Sequence, residues 1–305
     1  MTSQPSNLRA AAWMAGWLAS MLLMAVAGRE TTRELHVFQI LELRSVIGLL
    51  MLYPMIRANG GFRAMRTARP LHHVVRNVFH YSAQFSWFYA LTLIPLAQVV
   101  ALEFTMPIWT ALLAVFFLGE RMNGWKILAI PIGLAGVAMV VRPVIGSIEP
   151  GQLIALGAAV AFSVSLIMVK SLTRTERAVA IIFWMLVLQS LMGLGPALYF
   201  WRPVPAHLWP WLVLIAVCGT FSHYCMARAM LHADATIIVP MDLLRVPLTA
   251  VAGWLLYAER LDAYTIIGTA LILGGNLLNL KTSAPAGVDA IAAPDPIGPG
   301  PAARS

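Results

Sequence analysis

The chain has 305 residues, of which 60% are hydrophobic and 11% charged, with a mean hydropathy of +0.78. Soluble globular chains carry about twice that share of charge, so an ordinary soluble domain is excluded and lipid is the natural solvent. The formal charge of +8 is divided among short segments between apolar runs, as in membrane loops, which argues against a nucleic-acid-binding patch.

A helix needs about 20 apolar residues to cross a bilayer. In chain order, the first five predicted spans are Ala10–Gly28, Leu35–Ile56, Asn77–Ile94, Leu96–Leu118 and the short Ile127–Val141. The second five are Gly151–Val169, Ala178–Trp201, Leu208–Ala227, Ala235–Tyr257 and Ala263–Leu280. The stretch from Asn77 to Gly119 is too long for one helix, so a turn is expected at Pro95. Arg9, the apolar run behind it and Ala25-Val26-Ala27 share the layout of a secretory signal. The run is long for a signal, however, and its removal would delete the counterpart of the sixth span. It is therefore read as a span. Thr282–Ser305, rich in Pro, Ala and Gly, reads as a disordered tail. Cys218 and Cys225 lie seven residues apart in one run, about 10 Å along a helix, too far for a disulfide; both read as packing residues.

Fourteen of the 21 lysines and arginines fall at the span ends that share a side with the N-terminus. Only Arg29, Arg33, Arg142, Arg202 and Arg260 fall opposite, and Arg44 and Arg245 lie within spans. The positive-inside rule then places both termini in the cytoplasm.

A shift of 139 residues aligns the two halves of the chain. Ala90 falls on Ala229, Val100 on Val239, Thr110-Ala111 on Thr249-Ala250 and Glu120-Arg121 on Glu259-Arg260. Ile127, Leu134 and Gly136 meet Ile266, Leu273 and Gly275, while Glu103 meets Asp242. Pro107 and Pro247 agree after a slip of one. Five spans per half is an odd number, so the second copy must enter the membrane inverted, a recurrent construction of secondary transporters.

Leu96–Trp125, with Glu103, Pro107 and Gly119-Glu120-Arg121, resembles the end of an EamA-type repeat of the drug/metabolite transporter superfamily. Thr236–Gly275 resembles the second copy. The resemblance implies an all-α membrane protein of ten helices: a first repeat over 8–142, an inverted second over 147–281, and a cytoplasmic tail over 282–305. It further implies a central cavity, no cofactor, and transport, usually export, of a small organic metabolite. Members handle amino acids, nucleotide-like metabolites, vitamins such as riboflavin, and metal-binding opines. The expected partners are that metabolite and the lipid bilayer, with no nucleic acid. Glycine-rich faces would serve packing within one chain or between chains alike, leaving the oligomeric state open.

Ionisable groups within spans are expensive and are functional candidates for that reason. Glu103 and Asp242 are related by the repeat, and helix depth places them on either side of the midplane. As buried carboxylates they suit proton coupling; alternatively Asp242 and Arg245, three apart on one face, form a fixed ion pair. Glu42 and Arg44 lie at a similar depth in the second span, and Arg44 could meet either Glu103 or Glu42. Arg44 and Arg245 are candidate holders of an acidic substrate group, since guanidinium binds two oxygens at once; packing is the bland alternative. The third span is polar and aromatic, with His80, Tyr81, Gln84, Trp87 and Tyr89, and its repeat partner carries His223 and Tyr224. These suit a cavity for a planar or amphipathic ligand, or interhelical bonding and interfacial anchoring. His72, Arg76 and His80 recur every four residues. A basic interfacial face accounts for them more simply than a metal site, which needs further ligands. Pro107, Pro131, Pro196, Pro240 and Pro247 mark possible kinks, and Gly133, Gly136, Gly274 and Gly275 close helix contacts. No GxxxxGK[ST], HExxH or GxSxG motif occurs. Direct ATP drive is therefore not expected, and a lipid-modifying enzyme using Glu103 or His80 is the alternative class.

Overall fold

The computed structural model describes residues 7–118, 124–141, 148–173, 175–230, 232, 238 and 241–280. Within them, eleven α-helices form the structure: α1 (Asn7–Thr32), α2 (Val37–Ala58), α3 (Pro70–Leu93), α4 (Leu96–Glu103), α5 (Met106–Leu118) and α6 (Gly124–Val141) come from the first half. The second half supplies α7 (Pro150–Leu172), α8 (Ala178–Tyr199), α9 (Trp209–Met230), α10 (Arg245–Tyr257) and α11 (Ala263–Leu280). Two short 3₁₀ turns, Phe62–Met65 and Ala206–Leu208, precede α3 and α9.

Among the described residues, six stretches are long and apolar enough to cross a membrane, and α6 and α11 are shorter apolar helices. The polar residues of α3 keep it out of the six. It also begins seven residues earlier than the predicted third span, because Pro70 at the helix start costs no hydrogen bond there. The expected turn at Pro95 separates α3 from α4. The fourth span is not one helix. It breaks again at Phe104-Thr105, between α4 and α5. At the start of α7, Glu149 and Gln152 form a reciprocal capping box, so the first-turn donors are satisfied by side chains.

The most extensive packing joins α1 to α9, α3 to α7, α2 to α8 and α6 to α11. Exchanging the two halves leaves this set of pairs unchanged. The α6–α11 seam shows the same symmetry at atomic scale. A methyl group on Gly136 would lie 2.5 Å from the carbonyl oxygen of Gly268, and one on Gly275 would lie 2.9 Å from that of Ala129. The repeat shift carries the first contact onto the second. Gly133 likewise faces Ile108, whereas a methyl group on Gly274 would meet no atom of another helix within 4 Å among the described residues, so the close contact expected there is not seen. Cys218 and Cys225 are free and buried; Cys225 packs against Gly16 of α1.

The basic interfacial face expected at the start of α3 is instead packed into the protein. Arg76 is buried and donates to Asn77, while the His73 ring, fully buried, is bonded to Glu176 at 2.5 Å. His72 meets the carbonyl of Met168. No group of three or more metal-ligating side chains occurs among the described residues.

Candidate substrate and coupling site

The candidate site starts from two backbone breaks. In the first half α4 ends at Glu103, Phe104 and Thr105 form a turn, and α5 begins with Met106-Pro107. In the second half 241–242 are helical, 243–244 form a turn, and α10 begins with Arg245-Val246-Pro247. The repeat shift of 139 carries the first turn onto the second. Tighter three-residue bonds bracket both turns, from Thr105 N–H to Leu102 and from Val246 N–H to Leu243. Each proline lacks the N–H that a helix would direct to the fourth residue before it, Glu103 or Leu243. Side chains from other helices bond the backbone around the first break: Asn276 of α11 donates to the Phe104 carbonyl at 2.7 Å, and Ser163 of α7 to that of Met106, at the start of α5, at 2.9 Å. Broken helices at matching places in two repeats are where membrane carriers hold their substrates.

At these breaks three charged side chains converge. Arg245 Nη1 donates to Glu103 Oε1 at 2.9 Å, and its Nε lies 3.6 Å from Asp242 Oδ1. The guanidinium also lies over the Phe104 ring, 4.6 Å from its centroid. Each carboxylate receives one indole N–H, Glu103 from Trp87 at 2.8 Å and Asp242 from Trp17 at 2.6 Å. Two carboxylates and one guanidinium leave a formal charge of −1 on the cluster. The side chains are 9–18% exposed, so the cluster is nearly enclosed without being sealed. Glu103 thus obtains its cation from the other half of the protein, and Arg44 pairs with neither Glu103 nor Glu42.

Arg44 is buried without an acidic partner among the described residues. With Gly48, Ile182, Met185, Leu186, Ala216, Gly219 and Thr220 it lines a cavity of about 20 Å³ between α2, α8 and α9, room for one water molecule. Glu42 points elsewhere, because residues two apart on a helix do not share a face. Its Oε1 accepts from Ser190 Oγ of α8 at 2.5 Å, while its Oε2 is buried without a partner. The Tyr81 hydroxyl is also buried and unpartnered. Gln84 is bonded to His80 at 3.0 Å, and His80 to Ser165 of α7 at 3.3 Å.

The eighth span contributes less than expected. Tyr224 is 52% exposed, stacks with Phe221 and meets the Trp13 ring edge-on, with no bond to the charged cluster among the described residues. The side chain of His223 lies outside the described residues, as do Pro240 and Glu120.

A second tie between the halves closes the α3–α4 break. Arg29 Nη1 donates to the carbonyls of Leu91 and Ile94 at the end of α3. Its Nη2 meets Glu259 Oε1 at 2.9 Å, and Glu259 Oε2 accepts from the Leu96 N–H that opens α4, also at 2.9 Å. A cation on the orphaned carbonyls and an anion on the orphaned N–H complement both helix ends.

Sequence reasoning missed Trp17, Phe104, Ser190 and Glu259 as members of these clusters. Trp17 carried a usable signal, since an indole N–H within a span needs an acceptor.

The profile of the EamA-like transporter family matches residues 8–142 and 149–281. An S-adenosylmethionine uptake transporter of Rickettsia prowazekii is 24% identical over 265 residues, covering 87% of this chain and 90% of its own. A riboflavin transporter of Rhizobium johnstonii is 32% identical over 222 residues, 72% of this chain and 74% of its own. A pseudopaline exporter of Pseudomonas aeruginosa is 29% identical, with 80% and 86% covered. One solved crystal structure, 22% identical, covers 90% of this chain and 98% of its own with a TM-score of 0.62, a likeness of fold.

Proposed function

Because the chain belongs to the EamA-like transporter family, a multi-pass family of membrane transporters and not of enzymes, we propose that it is a secondary carrier exporting a small organic metabolite across the cell inner membrane in exchange for protons. Ten spans form two oppositely inserted halves, with both termini in the cytoplasm. The halves rock about the midplane and expose one site alternately to either side.

The observation that carries this reading is the meeting of two repeat-related helix breaks in the Glu103–Arg245–Asp242 cluster. An ion pair that joins the halves can open as they part, and its groups then bind a solute in place of each other. Arg245 suits a carboxylate, the acidic pair a cationic centre, and Trp17, Trp87 and Phe104 an apolar or aromatic body. Tyr81 and Gln84 extend the polar wall, and Arg44 provides a further anion-binding group. Import through the same site is the second reading, favoured by the relative named for uptake of S-adenosylmethionine.

Counterflow in proteoliposomes tests the carrier. Riboflavin and S-adenosylmethionine are the first probes, followed by solutes that differ between cells with and without the protein. We expect unmodified solute to accumulate against an unlabelled internal pool, and Arg245→Ala to reduce its rate at least tenfold. Chemical conversion of a solute without exchange would sink the carrier. Labelling of single cysteines beside Glu120 and Glu259 from the same side would sink the inverted topology.

A further inference from the structure

We infer that Glu42 is the proton-carrying carboxylate of this carrier, a site that rests on the reading above and stands apart from the central ion cluster. Glu103 and Asp242 share the Arg245 guanidinium, and each is held by an indole N–H. Those two carboxylates are thus each already engaged by a cation and a donor. Glu42 has the opposite surroundings. It is 5% exposed, it has no cation partner among the described residues, and only one of its oxygens accepts a hydrogen bond.

The space beside it is built for a small guest. A methyl group on Gly193 of α8 would lie 3.0 Å from Glu42 Oε2 and 2.7 Å from the Tyr81 hydroxyl. The glycine therefore keeps open the gap into which both unpartnered oxygens point. On the same faces, one turn away on each helix, Gln84 Oε1 and Gln189 Nε2 are also buried without partners. Four unsatisfied polar atoms on nearly fully buried side chains are costly, and native proteins satisfy such groups with a proton, a water or an ion.

The neighbouring charges do not supply that partner. On α2 itself Arg44 lies on the other face, against Gly219 of α9. From α3 come Tyr81 and the His80 that bonds Gln84. The only ionisable residue of α8 is Tyr199, exposed at its C-terminal end beyond Gly193. The 3₁₀ turn that also meets α2 carries Arg63 near the opposite end of the helix. An uncompensated carboxylate within the bilayer is expensive, and a proton cancels its charge without needing more room. When protonated, Glu42 gains an O–H for Tyr81 or Gln84. When ionised, it keeps the Ser190 donor. The helices that bound the gap, α2 and α3 of one half and α8 of the other, move apart if the halves rock, which gives water access to the acid.

Carbodiimide labelling reads this directly, because dicyclohexylcarbodiimide adds to neutral carboxylic acids in apolar surroundings and spares carboxylates. The full-length protein in lipid vesicles is treated over a pH series, and the modified residues are located by mass spectrometry. We expect Glu42 to be modified and Glu103 and Asp242 to be spared, with Glu42 labelling falling as pH rises and indifferent to Na⁺. Ser190→Ala removes a donor to the ionised form, so labelling should persist to higher pH by about one unit or more. An unlabelled Glu42, labelling unchanged by pH, or protection by Na⁺ at fixed pH would each overturn the assignment, the last in favour of a metal cation. The readout needs no transported solute. A titrating Glu42 in a protein without counterflow would sink the carrier and leave the proton site; a silent Glu42 in an exchanging protein would sink only the site.

Discussion

The seam between α6 and α11 and the junction of α4 with α10 both join the two halves, yet they are built from opposite materials. At the seam, Gly136 and Gly275 bring one backbone against another, with no side chain in between and no charge. At the junction, each helix is interrupted, and the halves meet through Glu103, Arg245 and Asp242. Close-packed backbone resists displacement, because every contact is lost together when the helices part. An ion pair beside broken helices has other partners available, including water and solute. The first contact suits a fixed scaffold and the second a working centre.

The largest effect should come from removing the guanidinium at the centre. Arg245→Met leaves two carboxylates facing each other in a nearly enclosed space. Breaking a buried ion pair on one side costs about 3–5 kcal/mol, read as a large fall in the thermal unfolding midpoint in detergent. The triple variant with Glu103→Gln and Asp242→Asn removes the stranded charge. It should recover most of the stability without recovering solute exchange. Recovery of both would mean that the cluster serves the fold alone.

Next comes the tie at the α3–α4 break. Glu259→Ala strands Arg29 and uncaps Leu96 N–H together, at a cost of about 1–3 kcal/mol. Since this tie must open whenever that end of the protein opens, its loss should also alter the balance of the two access states. Cysteine labelling near Ile94 would then rise in the variant, whereas an unchanged labelling rate would make the tie purely structural.

How much of this was legible in the sequence follows from the type of contact. The helices were readable because lipid demands long apolar runs, and Ala263–Leu280 matches α11 end to end. The repeat was readable from Glu103 with Asp242 and Gly136 with Gly275, and Pro107 and Pro247 hinted at the breaks. What was hidden is pairing across the halves. Sequence spacing offered Arg245 to Asp242, three residues away, but nothing local could indicate that it also reaches Glu103. The same limit misdirected Arg44 toward the carboxylates and Tyr224 toward the centre, because depth in a span does not fix which face a residue occupies. Glu259 was recognised as a repeat marker, while its work as a cap on α4 became visible only in three dimensions.

The smallest effects sharpen the seam itself, since two nearby glycine positions predict opposite signs. Gly136→Ala would place a methyl group 2.5 Å from the backbone oxygen of Gly268, which has no flexible side chain to yield. Overpacking of that kind costs about 1–3 kcal/mol, seen as a lowered unfolding midpoint. A methyl group on Gly274 of α11 would meet nothing within 4 Å among the described residues, and alanine is the better helix former by about 1 kcal/mol. Gly274→Ala should therefore raise the midpoint slightly and leave solute exchange unchanged. If both variants fell together, backbone contact at Gly136 would not be what distinguishes the seam, and its role as the fixed part of the molecule would lose its basis.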